Sequence, residues 1–243
     1  ITLCLTISLA MGSFGVGWSG DFQKGLDAAQ RGDYTTALKE WTSLAEQGDA
    51  KARFNLGIMY ERGQGVLQDY KTAVKWYTLS AEQGNALAQY NLGVIYDKGQ
   101  GVLQDYMTAV KWYTLSAEQG YAKAQFNLGI MYERGKGVPQ DYKTAVKWYI
   151  LSAEQGNAKA QFNLGQMYRN GYGVPQDYKT AVKWYTLSAE QGFVEAQANL
   201  GVMYALGRGV IEDKVYAHMW GNISNSNGYE GGKKLMDYLL EQG

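Results

Sequence analysis

The sequence predicts an all-α protein in which antiparallel helix pairs stack along the chain as a solenoid. Three features indicate this fold: a fixed sequence period, apolar residues at helical spacing, and glycines between the predicted helices. The period is clearest in tryptophans that recur every 36 residues, at Trp76, Trp112, Trp148, Trp184 and Trp220. A period of this length is typical of repeat architectures, so it overrides the expectation of one or two ordinary domains for 243 residues.

Each repeat is predicted to hold two helices, and residues 157–192 show the pattern best. In the first half, Ala160, Leu164 and Tyr168 are spaced four apart, which places them on one stripe of a helix. The second half repeats this spacing around Trp184. Isolated helices of about 13 to 15 residues are only marginally stable in water, so the repeats must stabilise one another. We therefore expect the recurring Trp, Tyr and Leu side chains to form a continuous core.

The loop between the two helices carries residues that end one helix and begin the next. In residues 171–177, two glycines are suited to end the first helix, Pro175 is tolerated only at or before a helix start, and Asp177 is suited to cap the second helix. One aspartate recurs in each repeat: Asp69, Asp105, Asp141, Asp177 and Asp213. These carboxylates are too far apart to pair for acid–base or metal chemistry, so we expect them to be helix caps.

The ends of the array depart from the repeat, as capping units do. The predicted organisation is a leader over 1–17, a shorter hairpin over 18–48, four full repeats over 49–84, 85–120, 121–156 and 157–192, a degenerate repeat over 193–228, and a capping helix over 229–243.

The start of the chain indicates export. None of the first 20 residues is charged, and residues 1–11 form an apolar stretch of signal-peptide length followed by small residues. We predict a secretory leader that is cleaved after Ala10 or Gly17. A buried N-terminal helix and a retained membrane anchor are the alternatives. The anchor is disfavoured because Gly and Ser dilute the stretch below the roughly 20 apolar residues that a span needs.

Composition argues against several functions. The 23 basic and 23 acidic residues balance, so no basic stripe is available to follow nucleic acid. One His and one Cys cannot supply a zinc site or a disulfide framework, and we expect no cofactor and no metal. His218 replaces a valine of the other copies, and a serine recurs at a small-residue position of the second helix, at Ser80, Ser116, Ser152 and Ser188. Packing or surface roles are expected for these residues rather than catalysis.

The repeat resembles the Sel1-like repeat, a relative of the tetratricopeptide repeat. The pattern A-x-x-x-L-G-x-x-Y-x-x-G-x-G-V-x-x-D-x-x-x-A-x-x-W-Y runs from Ala124 to Tyr149 and again from Ala160 to Tyr185, and the first hairpin is similar to a tetratricopeptide unit. The resemblance implies a right-handed superhelix that serves as an adaptor or scaffold for a protein or peptide partner, is often exported by bacteria to the periplasm or beyond, and is not an enzyme. We expect a monomer.

The alternative is a cell-envelope enzyme of a related branch linked to β-lactam binding or hydrolysis. The paired cysteines that this branch carries within each repeat are absent from this chain.

Positions that the core does not need vary most between copies. Residues 121–156 and 157–192 differ at six positions, and five of these lie in the first helix or the loop after it. In tetratricopeptide arrays the matching positions line the concave groove, so a recognition surface is one explanation and neutral drift of exposed residues is the other. The candidate partner-binding residues are Lys51, Asn55, Asn91, Lys123, Phe126, Asn127, Lys159, Phe162, Asn163, Gln166 and Arg169.

Lys and Asn four residues apart lie one helical turn from each other and would present ammonium and amide donors side by side. The pairs are Lys51 with Asn55, Lys123 with Asn127, and Lys159 with Asn163, and Leu87 replaces the Lys beside Asn91. This arrangement resembles the two-carboxylate clamp by which some tetratricopeptide proteins hold the free C-terminus of a peptide. In the alternative interpretation, the Asn side chains bond neighbouring backbone and the Lys side chains are solvated.

Overall fold

The computed structural model describes residues 17–241, so the predicted leader lies outside the described residues except for Gly17. The described residues form thirteen α-helices and no strand. They fall into two units, one that ends at Ala88 and one that begins at Gln89. The all-α fold class of repeated helix pairs is confirmed. In the described part of the chain, every helix is too short or too polar to cross a membrane.

The first unit contains four complete helices and the start of a fifth. They are α1 (Gly17–Gln30), α2 (Tyr34–Glu46), α3 (Ala50–Arg62), α4 (Tyr70–Ala81) and the first residues of α5 (Ala86–Lys98). From α1 to α4, each helix packs against the next one in the chain. The core of this unit is formed by buried side chains that include Trp41, Leu44, Leu56 and Met59.

The second unit continues α5 and adds eight helices. They are α6 (Tyr106–Glu118), α7 (Ala122–Arg134), α8 (Tyr142–Glu154), α9 (Ala158–Asn170), α10 (Tyr178–Glu190), α11 (Val194–Ala205), α12 (Lys214–Ser226) and α13 (Glu230–Glu241). From α6 to α13, successive helices pack against each other, and α13 also contacts α11.

The predicted aspartate caps are confirmed. The Asp105 carboxylate accepts hydrogen bonds from the backbone N–H groups of Met107 at 3.0 Å and Thr108 at 3.1 Å. The Thr108 hydroxyl donates to the same carboxylate at 2.6 Å. These bonds from Thr108 hold the pKa of Asp105 below its ordinary value. Asp69, Asp141, Asp177 and Asp213 occupy the same position at the starts of α4, α8, α10 and α12.

Two glycines shape the loop between the helices of a repeat. Gly135 ends α7 with φ of 64°, and Gly137 has φ of 71°, both in the left-handed region that glycine tolerates best. Gly137 also lies directly against the backbone of Tyr106, where a Cβ atom would collide with it. The loop of one repeat thereby packs on the start of the second helix of the preceding repeat.

A buried tyrosine against a bare glycine forms the centre of each full repeat. The ring of Tyr149 is fully buried and lies on α7 at Gly129, where an added Cβ would stand 2.5 Å from the ring carbon Cε1. We call this pairing the glycine–tyrosine contact. It recurs as Gly57 with Tyr77, Gly93 with Tyr113, and Gly165 with Tyr185. In the first hairpin, Trp41 takes the place of the tyrosine and lies on Gly25.

The tryptophan row packs at the edge of the core and not in its centre, so the prediction of a core role for it is confirmed only in part. Trp148 is only partly buried and packs from the side against a cluster that includes Leu128 and Met131. Its neighbour Tyr149 takes the central place instead. Successive residues of a helix point about 100° apart, so only one of the two side chains can face α7, and the gap at Gly129 admits the tyrosine. Trp76, Trp112, Trp184 and Trp220 are likewise partly buried.

The last repeat lacks its own tyrosine. Gly221 stands at the tyrosine position of α12, and the side chain of Leu235 from α13 fills the space. An added Cβ at Gly201 of α11 would stand 2.5 Å from Leu235 Cδ2. The final helix therefore supplies the core side chain that the degenerate repeat has lost.

Buried glutamines add polar contacts between successive repeats. Gln125 and Gln161 are each 4% exposed, and their amides donate to the carbonyls of Ala117 and Ala153 in the preceding repeats, both at 3.1 Å. The Gln125 side chain in turn accepts from Gln155 at 2.8 Å. Because buried polar groups are costly when unpaired, these bonds favour one register between neighbouring repeats.

The glycine–tyrosine contact predicts that Gly129→Ala lowers the free energy of unfolding, although the same change usually stabilises a helix. Alanine in a helix is normally more stable than glycine by about 1 kcal/mol. Here the new methyl group would meet the Tyr149 ring, and overpacking typically costs about 1 to 3 kcal/mol, so we expect a net loss in urea unfolding. In the double variant Gly129→Ala with Tyr149→Leu, the cost of the alanine should shrink, because the smaller side chain leaves room for it. Strictly additive effects would contradict the contact.

Candidate functional site

A groove of about 620 Å³ opens in the second unit beside the first turns of α7 and α9. We call it the lysine groove. The main side chains that line it are Lys123, Phe126 and Asn127 of α7, Lys159 of α9, Tyr90 of α5, and Phe193, which directly precedes α11. Of the described residues that line it, two are lysines and none is acidic.

The structure brings four of the sequence-predicted residues together in this groove: Lys123, Phe126, Asn127 and Lys159. Phe162 lies at its border, with its ring 5.1 Å from that of Phe193. Asn163, Gln166 and Arg169 lie further along α9, and Asn91 lies on α5. Lys51 and Asn55 lie on α3 in the first unit.

Aromatic rings form the apolar part of the groove, and sequence analysis missed two of them. The Tyr90 ring lies 5.1 Å from the Tyr121 ring at a steep angle, and the Phe126 ring lies 5.9 Å from that of Tyr149. Tyr90 precedes Phe126 by one period, so the alignment of repeats could have identified it. Phe193 precedes α11 at the position where Asn157 caps α9. The alignment of repeats therefore does not identify Phe193 as an aromatic position.

The charge of the groove is positive. The ammonium-bearing side chains of Lys123 and Lys159 are both exposed. The first turn of α9 is capped by the Asn157 side chain, which accepts from the N–H groups of Lys159 at 3.1 Å and Ala160 at 3.2 Å. By contrast, Tyr121 gives α7 no side-chain cap. Since a helix N-terminus carries partial positive charge, this end of α7 adds to the field of the two lysines.

The asparagines of the predicted clamp contact buried tyrosines of the preceding repeat. The Asn163 side chain lies beside the Tyr149 hydroxyl, which donates a hydrogen bond to the Glu133 carboxylate. Asn127 lies beside the hydroxyls of Tyr113 and Tyr90, and the Tyr113 hydroxyl has no hydrogen-bond partner. These amides are therefore partly committed to the packing of repeats, and the lysines are the exposed donors of the groove.

A side chain of the first helix lies over each buried tyrosine hydroxyl. The Tyr77 hydroxyl donates to Glu61 and the Tyr149 hydroxyl to Glu133. Asp97 is one methylene shorter and lies beside Tyr113 without a well-formed bond to its hydroxyl. Arg169 occupies this position over Tyr185. The sequence predicted Arg169 only as a candidate binding residue, because its relation to Tyr185 depends on packing.

The serines and the histidine have the roles expected from the sequence. The Ser152 hydroxyl is fully buried and donates to the Ala122 carbonyl at 2.7 Å, and Ser188 does the same to Ala158 at 2.7 Å. His218 is exposed on α12. In the described part of the chain, no three His, Cys, Asp or Glu side chains are grouped so that they could hold a metal ion.

Comparisons with known proteins agree with this architecture. The family model described as Sel1 repeat matches residues 50–85, 86–121, 122–157, 158–193 and 194–229. No match to the chain is found among curated proteins.

Two solved structures show the similarity at the level of sequence and fold. A protective antigen present in uropathogenic Escherichia coli strains is 38% identical, with a TM-score of 0.89 over 93% of this chain and 49% of that one. The present chain thus spans about half the length of the E. coli protein. A Sel1 repeat protein from Oxalobacter formigenes is 36% identical, with a TM-score of 0.82 over 85% of each chain.

The buried tyrosines predict a loss of stability at alkaline pH. Burial, and then the nearby Glu133 carboxylate, raise the pKa of Tyr149 far above its ordinary value. A raised pKa in the folded state means that folding favours the protonated hydroxyl. The stabilisation is therefore complete below the unfolded pKa of about 10 and declines as the pH rises above it.

The midpoint of urea unfolding should be lower above pH ~10 than below it, since the unfolded pKa of tyrosine is about 10. The variant Tyr149→Phe lacks the titrating hydroxyl and should show a shallower decline. Equal slopes for the two proteins would contradict the assignment to Tyr149.

Proposed function

Because the chain belongs to the Sel1 repeat family, we propose that it acts as a scaffold that binds a protein or peptide partner, with the lysine groove as the binding surface. The observation that carries the proposal is the convergence of two lysines and several aromatic rings in one groove without an acidic lining residue. No catalytic step is part of this function.

The groove has the dimensions and chemistry of a recognition site. Its volume of about 620 Å³ lies within the range of roughly 300 to 1,000 Å³ that is usual for ligand sites. Aromatic side chains are enriched at protein interfaces because they bury a large area at a low cost in conformational entropy. Tyr90, Phe126 and Phe193 offer such an apolar surface.

The positive charge specifies an anionic group on the partner. Lys123 and Lys159 come from successive repeats, so a carboxylate between them would receive donors from both. We propose that this group is the free C-terminal carboxylate or an acidic side chain of a peptide. The amides of Asn127 and Asn163 contribute less to such a clamp, because they lie beside tyrosine hydroxyls of the preceding repeat. Lys51 and Asn55 stay a predicted further contact.

Peptide binding tests the groove directly. The probe is a synthetic peptide library with acidic and aromatic residues near a free C-terminus, measured against the same peptides with an amidated C-terminus. The Lys123→Glu and Lys159→Glu variants should each weaken binding at least about tenfold, as expected for loss of a charge-assisted contact.

Lys147→Glu is the matched control, since Lys147 is exposed on α8 and does not line the groove. A Lys147→Glu protein that binds as weakly as Lys123→Glu would show a general charge effect. Unchanged binding in both groove variants would overturn the groove as the site. Equal binding of free-acid and amidated peptides would remove the C-terminal carboxylate from the proposal.

We also propose that the protein is exported to the bacterial periplasm or secreted, and that it is a monomer. The uncharged apolar start of the chain supports export, and Cys4 is its one cysteine, so cleavage after Ala10 or Gly17 would leave a cysteine-free protein suited to an oxidising compartment. N-terminal sequencing of protein recovered from the periplasmic or culture fraction should begin after the leader. An intact leader in cytoplasmic protein would contradict export, and light scattering checks the oligomeric state.

A further inference from the structure

We propose that Arg169, Tyr185 and Asn199 form a second anion site, which takes an acidic side chain of the bound partner. The proposal rests on the proposed function, because it adds a second contact for the same partner. Arg169 lies seven residues after Phe162 on α9, so both side chains belong to one stripe of that helix. Phe162 itself contacts Phe193 of the lysine groove.

Two other repeats, those in which a glutamate precedes the loop, show which group is missing at this site. In the first unit, the Glu61 carboxylate accepts a hydrogen bond from the buried Tyr77 hydroxyl. In the second unit, the Glu133 carboxylate accepts one from Tyr149. One period after Glu133, the chain carries Arg169. A guanidinium has only donors, so it cannot accept a hydrogen bond from Tyr185.

The Tyr185 hydroxyl is left without an acceptor. The side chain is 0% exposed and its hydroxyl has no hydrogen-bond partner. Burial raises the pKa of Tyr185 to about 12, so the hydroxyl keeps its proton at neutral pH and is available as a donor. Buried polar groups are usually paired, so this hydroxyl has a free donor for an incoming acceptor. The Tyr113 hydroxyl is also unpaired, but it lies beside the Asp97 carboxylate rather than beneath a cation.

Arg169 is also weakly engaged. Its Nη1 group donates to Asn199 Oδ1 at 3.3 Å and its Nε to Asn170 Oδ1 at 3.3 Å, which are long bonds to neutral acceptors. Within residues 17–241, no carboxylate forms an ion pair with this guanidinium. The side chain is partly exposed, so an incoming group can reach it.

A carboxylate supplies what both groups lack. Its two oxygens fit the fork of the guanidinium, and one of them can accept the Tyr185 proton in a hydrogen bond. The guanidinium is the outer contact, and the carboxylate reaches the hydroxyl beneath it when the Arg169 side chain turns aside and keeps its bond to one carboxylate oxygen. The partner would thus provide in the fourth repeat the acceptor that Glu133 provides in the third.

The helix sets the spacing of the two anionic groups. Lys159 and Arg169 are ten residues apart on α9, which corresponds to about 15 Å along the helix axis. An extended peptide advances about 3.3 Å per residue and covers this distance in roughly four to five residues. The partner should therefore carry an Asp or Glu about four or five residues from the carboxylate that the lysine groove holds.

The decisive variant is Arg169→Glu, because it copies the Glu133 arrangement and gives Tyr185 an acceptor. We expect its thermal midpoint to equal or exceed that of the native protein, while its affinity for a synthetic peptide with the spaced glutamate falls at least about tenfold. Arg169→Gln should lose a similar factor without reversing the charge. Arg62→Gln is the control, since Arg62 is exposed at the end of α3.

The peptide offers a reciprocal change. Replacing its spaced glutamate by glutamine should weaken binding to the native protein and have no effect on Arg169→Gln. If Lys123→Glu abolishes binding but neither Arg169→Gln nor the glutamine peptide changes it, the second site is overturned and the groove stands.

A readout that needs no peptide separates the two proposals. Titration with acetate, against chloride at equal ionic strength, should shift the ¹⁵Nε signal of Arg169 more than that of Arg62. A selective shift without any peptide binding would support the anion site and overturn the proposed function. The absence of a selective shift, together with an unchanged affinity of the glutamine peptide, would overturn the anion site.

Discussion

The fold depends on one close contact, a tyrosine ring pressed onto a helix that has no side chain at that point. In the third repeat, Gly129 lets α8 approach α7 so closely that the Tyr149 ring lies on the backbone. The same close approach of α7 and α8 lets the buried Ser152 hydroxyl reach the Ala122 carbonyl. The first hairpin keeps the same geometry with Trp41 on Gly25, which shows that the small residue matters more than the identity of the ring.

The contact also links the core to the surface that we assign to binding. The rings of Tyr149 and Tyr185 cross their repeats, so that their hydroxyls lie beside Glu133 and Arg169 on the first helix. One sequence position therefore controls both the pairing of a buried hydroxyl and the charge displayed on α9 or its counterparts. Glu133 pairs the hydroxyl beneath it, whereas Arg169 leaves the hydroxyl of Tyr185 unpaired and exposes a cation. Such exchanges of stability for binding are expected at functional positions.

Local signals in the sequence predicted most of the fold and only part of the site. Helix pairs, aspartate caps and the buried serines depend on residues within one repeat, so period and spacing were sufficient to predict them. The choice between Trp148 and Tyr149 for the core depends on how closely two helices approach, which spacing alone does not specify. Tyr90 and Phe193 join the lysine groove only through packing between repeats. The position of Asn163 beside the Tyr149 hydroxyl likewise depends on packing across a repeat boundary.

In the last repeat, Gly221 stands where the other repeats carry a tyrosine. This difference affects how such an array can change its length during evolution. Glycine and tyrosine of an internal repeat lie within one 36-residue stretch of the gene product, so unequal recombination copies or removes both together. The terminal repeat has no such freedom, because its core is completed by Leu235 of α13. Duplicating it without that helix would leave an empty centre. Gains and losses of repeats should therefore accumulate among the repeats that carry both the glycine and the tyrosine, and residues 193–241 should stay unduplicated.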